Sequence, residues 1–363
     1  MMPPSGPRVL VLVTGAARSG TSTAAGTLHH LGLDVPGPFM DANESNPKGF
    51  YESRWSVRFH NQLIRRAGIN AVDGRPDALE RVHAVIDDQA RAKLGRYLAR
   101  HEDLPQLVVK DPRSVWTQHL WADAAHAAGR EIRYLSMLRH PAEVVSSRTT
   151  YYAHYARAAG AEGPREQASL NLMRWINTTL VSERETRGAV RSFVDYADLL
   201  QEWRPALSRV GVELGLRYDP PVEVSPHPVD DFIDPGLRRH DASWADVPVP
   251  HLLRATAEQV WESCSALVGR GASDPGSEAR LDELAEDYRW LVADAALLDQ
   301  EALYEATRRA RSTGVQEGRR LAAEEAVAAG SVPVDELRSR ELMRIVGRRL
   351  LRRPPPEQEG HRP

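Results

Sequence analysis

Residues Val9–Leu28 read VLVLVTGAARSGTSTAAGTL. Val9–Val13 is an unbroken apolar run, which predicts a central strand buried on both faces of a parallel sheet. Gly15–Gly20 predicts a glycine-rich turn, and Thr21–Leu31 a helix that Gly32 ends. A strand, a glycine-rich turn and a helix N-terminus together aim backbone N–H groups at one anionic group. The stretch departs from the nucleotide-binding pattern G-x-x-x-x-G-K-[ST] at one point. Gly15, Gly20 and Ser22 keep its spacing, but Thr21 stands where the lysine belongs and the cation comes earlier, at Arg18. The loop therefore predicts a phosphate-like ligand other than the triphosphate of ATP.

Downstream, strands and helices alternate. Leu107–Val109 predicts a second buried strand, IRYLSML a third ending at Arg139, and VRSFVDY a fourth running into the turn YADLL. Helices are expected after Ser53, over Leu79–Arg100, over Val115–Ala128, after His140–Pro141, and from Pro164 to about Glu185. A long polar loop spans Asp34–Gly49, and loops of that length in a compact domain usually carry function. Beyond Leu216 come Pro-rich connections, a helix near Leu252–Gly269 and a nearly continuous helix from Ser277 to Ala329. The fold class expected is α/β: a three-layer, P-loop-like parallel sheet flanked by helices, with a mostly helical C-terminal region. The expected division is an α/β domain over 1–245, a helical appendage over 246–330 and a basic tail, solvated or disordered, over 331–363.

Composition narrows the class. The net charge of −3 over 363 residues gives no basic field for nucleic acid. The single cysteine, Cys264, excludes an internal disulfide and suits a reducing cytoplasm, which is the expected location. The first residues, MMPPSGPRVLVLV, predict neither a signal peptide nor a membrane span. The 47 basic residues include only three lysines, Lys48, Lys93 and Lys110. Two of them sit in the loops NPKGFYE and VVKDPRS, where a compact point charge fits a functional role. The histidines show no metal-ligand spacing, so no metal is expected.

A second phosphate site follows from the third strand. Arg139 ends it and Ser147 lies on the next helix. The C-terminal ends of parallel strands meet at one crevice, so both should stand near the glycine-rich loop. Two separated phosphate sites imply an adenosine phosphorylated at both 3′ and 5′ positions.

GAARSGTS followed by YLSMLRHPAEVVSSR resembles the paired signatures of the sulfotransferase superfamily, and NPKGFYE and KDPR resemble loops of its bacterial members. The resemblance covers about Val9 to Leu200. It implies that Gly15, Arg18, Ser19, Gly20, Thr21 and Ser22 hold the 5′-phosphosulfate of 3′-phosphoadenosine-5′-phosphosulfate (PAPS). It implies that Arg139 and Ser147 hold the 3′-phosphate, and that Tyr196, in YADLL, lies near the adenine. The implied reaction passes a sulfonate to a hydroxyl of a glycan, lipid or secondary metabolite and leaves 3′-phosphoadenosine-5′-phosphate (PAP). Cytosolic members often place a base histidine two residues after a lysine; here that position is Pro112, after Lys110. Other branches use a glutamate in the loop after the first helix, which points to Glu52, with Glu44 as its rival and Asp111 in reserve. Lys110 would steady the sulfonate. FIDPGLRRH would return a basic segment to the nucleotide.

Plainer readings stand beside these. Glu52 also suits a cap or salt bridge of the following helix, Asp111 a partner of Arg113, and Tyr196 a packed aromatic. Two other functions fit the loop: a P-loop kinase or NTPase, and a non-catalytic nucleotide-binding scaffold. The arginine-rich tail reads as a solvated helix or as an interfacial one seeking anionic lipid. The C-terminal helices suit a homodimer.

Overall fold

The computed structural model describes residues 7–329 apart from 159, 161, 162, 235, 237–242, 271 and 272. β1 (Arg8–Thr14) leads into α1 (Thr21–His30). Next come α2 (Arg54–Ala67), α3 (Ala78–His83), α4 (Asp88–Ala99) and β2 (Gln106–Lys110). A 3₁₀ turn (Pro112–Thr117), α5 (Gln118–Ala127), β3 (Arg130–Leu138), α6 (Pro141–Ala158), α7 (Pro164–Arg184) and β4 (Arg191–Asp195) follow. The rest is helical: α8 (Tyr196–Gln201), α9 (Trp203–Glu213), α10 (Pro228–Phe232), α11 (His251–Ser265) and α12 (Pro275–Ala329).

The four strands form one parallel sheet in the order β2-β1-β3-β4. β1 is central and its side chains alternate between two cores. Val9, Val11 and Val13 pack with Leu28, Leu199, Leu207 and Val210, from α1, α8 and α9. Leu10 and Leu12 pack with Phe59, Leu63, Leu94 and Trp121, from α2, α4 and α5. This is a three-layer α/β architecture, as the sequence predicted. The chain leaves β1 toward β2 on one side and later returns to β3 on the other. The switch in strand order therefore falls at β1, and the crevice opens beyond its C-terminal end, where open α/β sheets bind ligands.

Several local expectations are corrected. Leu79–Arg100 is two helices, because Asp87 accepts the Ala90 N–H at 2.9 Å and caps a fresh start at α4. The helix expected from Val115 begins earlier, as a 3₁₀ turn that Asp111 caps and Pro112 opens. YADLL is a short helix capped by Asp195, not a bare turn. α9 had no counterpart in the sequence reading.

The chain forms two compact units, Met1–Arg289 and Trp290–Pro363. The first runs past residue 245, because α11 packs on α7 and Tyr288 of α12 hydrogen-bonds the carbonyls of Gly74 and Met173. The described part of the second unit continues α12 and carries ion pairs along its length, such as Arg309–Glu305. Among the described residues no helix is long and apolar enough to cross a membrane. The expectations for FIDPGLRRH and for the 331–363 tail fall mostly or wholly outside the described residues.

Candidate active site

A cavity of about 760 Å³ opens at the crevice, and both predicted signatures line it. Its floor is the loop after β1. Gly15 has φ +127°, and a Cβ there would lie 2.5 Å from the Met137 carbonyl oxygen, so only glycine lets the loop close on β3. Gly20 has φ +88° and caps α1 without a side-chain bond; its Cβ would lie 2.1 Å from the Tyr196 ring. Arg18 holds φ +78°, a left-handed backbone uncommon for a non-glycine residue and typical of functional turns.

Arg18 is the hub of this floor. Its Nε donates to Ser147 Oγ at 3.0 Å and its Nη1 to the Ser45 carbonyl at 3.0 Å. Its own carbonyl accepts from Arg139 Nη1 at 3.1 Å. Burial pushes the Arg18 guanidinium down from its ordinary value; Tyr152 opposes this and Arg139 adds to it. Arg139 is fixed by Glu143, one helical turn on, at 2.8 Å, and its guanidinium lies 4.6 Å from the Tyr196 ring centre. The β3–β4 register pairs Leu138 with Asp195, which sets Arg139 and Tyr196 side by side.

The opposite wall is an ion network. The β1–β2 register pairs Val13 with Lys110, one strand over from the loop. From there Lys110 Nζ donates to Ser22 Oγ at 2.9 Å and to Glu52 Oε1 at 2.6 Å. The other Glu52 oxygen accepts from Arg113 Nη1 at 3.3 Å. Glu52 is turned inward by the residue before it, since Tyr51 has φ +53°. Ser53 accepts the Ser56 N–H and so starts α2 directly after Glu52.

Asp111 faces the other way. It is fully buried, and Arg113 Nη1 donates to it at 2.6 Å. Trp121 Nε1 donates to His60 Nε2 at 3.0 Å, so that nitrogen carries the lone pair. His60 Nδ1 therefore donates to Asp111 Oδ2, at 2.8 Å. Burial pushes the Asp111 carboxyl up, but the Arg113 charge, His60 and the Arg113 backbone N–H outweigh it and hold it well below the usual carboxylate range.

Of the residues singled out from the sequence, Arg18, Gly20, Thr21, Ser22, Glu52, Lys110, Arg139, Ser147 and Tyr196 line the cavity. Gly15 and Ser19 belong to the loop but do not line the cavity, Ser19 being 1% exposed. Glu44 is exposed and outside the cavity. Asp111 is not brought to the cavity either; its oxygens are taken by Arg113 and His60.

The sequence reading missed a third wall. Arg148 and Arg174 line the cavity, as do Tyr151 and Tyr152. Tyr152 breaks the helical geometry of α6, at φ −130° and ψ 23°, and its hydroxyl lies 3.1 Å from Ser45 Oγ. Arg148 follows Ser147 directly and could have been suspected; Arg174 sits in mid-helix with no motif around it. His83, His119 and Glu185 also converge, from α3, α5 and the end of α7, with ligand atoms within 4.8 Å of one another. Their separation along the chain hides this from a search by spacing. None of the three lines the cavity.

No family model matches the chain, and no curated protein does. Among solved structures, the chain is similar to two sulfotransferase domains. One is from the curacin biosynthetic pathway: 17% identity over 70% of this chain and 96% of that one, with a TM-score of 0.40. The other is from the Synechococcus PCC 7002 olefin synthase: 18% identity over 79% and 97%, with a TM-score of 0.36.

Proposed function

We propose that the protein is a sulfotransferase that moves the sulfonate of PAPS to a hydroxyl and releases PAP. The observation that carries the reading is the meeting of two cationic ends around one cavity. Arg18, Ser147, Arg139 and Tyr196 form one group, and Ser22, Lys110, Arg113 and Glu52 the other. The residues suit a bisphosphorylated donor. The loop and the N-terminus of α1 offer backbone N–H groups to the phosphosulfate, Arg139 and Ser147 take the 3′-phosphate, and Tyr196 offers a ring to the adenine.

In this reading the acceptor oxygen attacks sulfur as the bond from sulfur to the 5′-phosphate oxygen breaks. The hydroxyl proton passes to Glu52, and the leaving phosphate oxygen gathers charge opposite Lys110 and Arg18. Such transfer needs in-line positioning and charge stabilisation more than covalent help. Among the described residues Glu52 is the carboxylate that lines the cavity, which favours it over Glu44 and Asp111 as base.

The ATP reading gains one point and loses another. Lys110 brings an ammonium to Ser22, so the loop has a lysine in space though not in sequence. But magnesium–ATP needs an acidic ligand beside the loop, and Asp111 is spent on Arg113 and His60. Calorimetry separates the two. PAP is expected to bind without magnesium and more tightly than magnesium–ATP; tight binding of magnesium–ATP alone overturns the proposal. PAP release from PAPS with a panel of hydroxyl compounds then separates an enzyme from a scaffold.

A further inference from the structure

Arg148 and Arg174 are two buried cations without a carboxylate. Arg148 is 8% exposed and Arg174 5%, and both line the cavity. Arg148 Nε donates to Asn171 Oδ1 at 3.0 Å, and Arg174 Nη1 reaches the same oxygen at 3.5 Å. Among the described residues neither forms an ion pair. Asp73 is the carboxylate whose charge reaches Arg174. Its oxygens are already taken by Arg75 and by the backbone N–H groups of Asn70 and Arg75. One amide oxygen thus orients two guanidiniums, and among the described residues no carboxylate forms an ion pair with either.

Burying a cation is costly unless an anion answers it, and two side by side are worse. Burial, with the neighbouring Arg174 adding to it, pushes the Arg148 guanidinium down to about 10. The site is also prebuilt. Asn171 and Arg174 sit on α7, whose Asn177 holds the Asp73 and Arg75 carbonyls and so fixes the segment that gives Asn70, Ala71 and Val72 to the cavity. Planar guanidiniums held in place suit a carboxylate or a phosphate.

We infer that Arg148 and Arg174 form an anion subsite for the acceptor, which would carry a carboxylate or phosphate as well as the hydroxyl that is sulfonated. The inference rests on the donor reading in one respect: it leaves Arg18 and Arg139 to PAPS.

The test uses the full chain saturated with PAP, titrated in parallel with inorganic phosphate and with malonate. At least one is expected to bind while PAP is in place. R174Q is expected to weaken that binding about tenfold or more, at unchanged PAP affinity. R174K should lose less than R174Q, and N171L should weaken binding without removing either charge. Preference for phosphate marks a phosphorylated acceptor, and preference for malonate a carboxylic one. The inference is overturned if neither anion binds, if both bind only when PAP is absent, or if R174Q binds them as wild type does. If PAP itself fails to bind, the donor reading fails. The same titrations of free wild type and R174Q then still decide the arginine pair.

Discussion

Lys110 donates to Ser22 across 2.9 Å, which returns an ammonium to a loop whose own sequence has none. The lysine arrives from the neighbouring strand through the Val13–Lys110 register. K110M is expected to lower turnover by about 10²–10³, the scale for removing one preorganised group that stabilises developing charge. The measurement is kcat with a melting curve as the folding control. Unchanged kcat in a folded variant removes Lys110 from the chemistry.

Glu52 is held from both sides, by Lys110 at 2.6 Å and Arg113 at 3.3 Å. E52Q keeps the shape and loses the carboxylate proposed as base. It should cut turnover by about 10²–10⁴ and leave PAP affinity nearly unchanged. E44Q, on an exposed residue outside the cavity, should be indistinguishable from wild type. Equal losses in both variants would contradict the assignment.

Gly20 and Tyr196 are in contact at a distance that admits no Cβ. G20A must also hold a left-handed backbone, which costs roughly 1–2 kcal/mol for a residue with a side chain. The variant is expected to melt lower and to bind PAP more weakly. Y196A removes the ring that the new methyl would strike. In a double-mutant cycle G20A should therefore cost less stability in the Y196A background. Strict additivity would show that the two residues do not meet.

The Asp111 carboxyl is held below its ordinary range, so it contributes stability that is fully present above the unfolded value of about 4. That stability is lost as the pH falls through the lower folded value. D111N lacks this contribution at every pH. At neutral pH it should be less stable by about 3–5 kcal/mol, the usual cost of stranding one partner of a buried pair. The gap between wild type and variant should narrow as the pH drops below 4. Melting curves from pH 7 to pH 3 check this, and a gap that widens toward acid would contradict it.

The sheet was legible because β1 is a run of apolar residues whose neighbours sit on both faces. The glycine-rich loop was legible because close approach leaves glycine no substitute at Gly15 and Gly20. Register was not legible, and with it the reach of Lys110 to Ser22 was hidden. The pairing of Asp111 with Arg113 was legible as a plain reading, whereas its second partner, His60, comes from 51 residues away and was not. Arg148 and Arg174 lie on different helices, α6 and α7, and the shared Asn171 oxygen that joins them cannot be read from either motif alone. The break between α3 and α4 was missed because the apolar spacing continues across it while Asp87 restarts the helix.

Arg18 touches the Ser45 carbonyl as well as Ser147, so the loop over 34–49 and the phosphate loop share one side chain. A donor that engages Arg18 sets where that loop rests before any acceptor arrives. Under the proposed donor reading, the expected kinetic order is PAPS first, acceptor second, PAP leaving last. PAP should then be a competitive inhibitor against PAPS and a noncompetitive one against the acceptor. R18K, with a single point charge in place of the fork, should blur that order toward random addition.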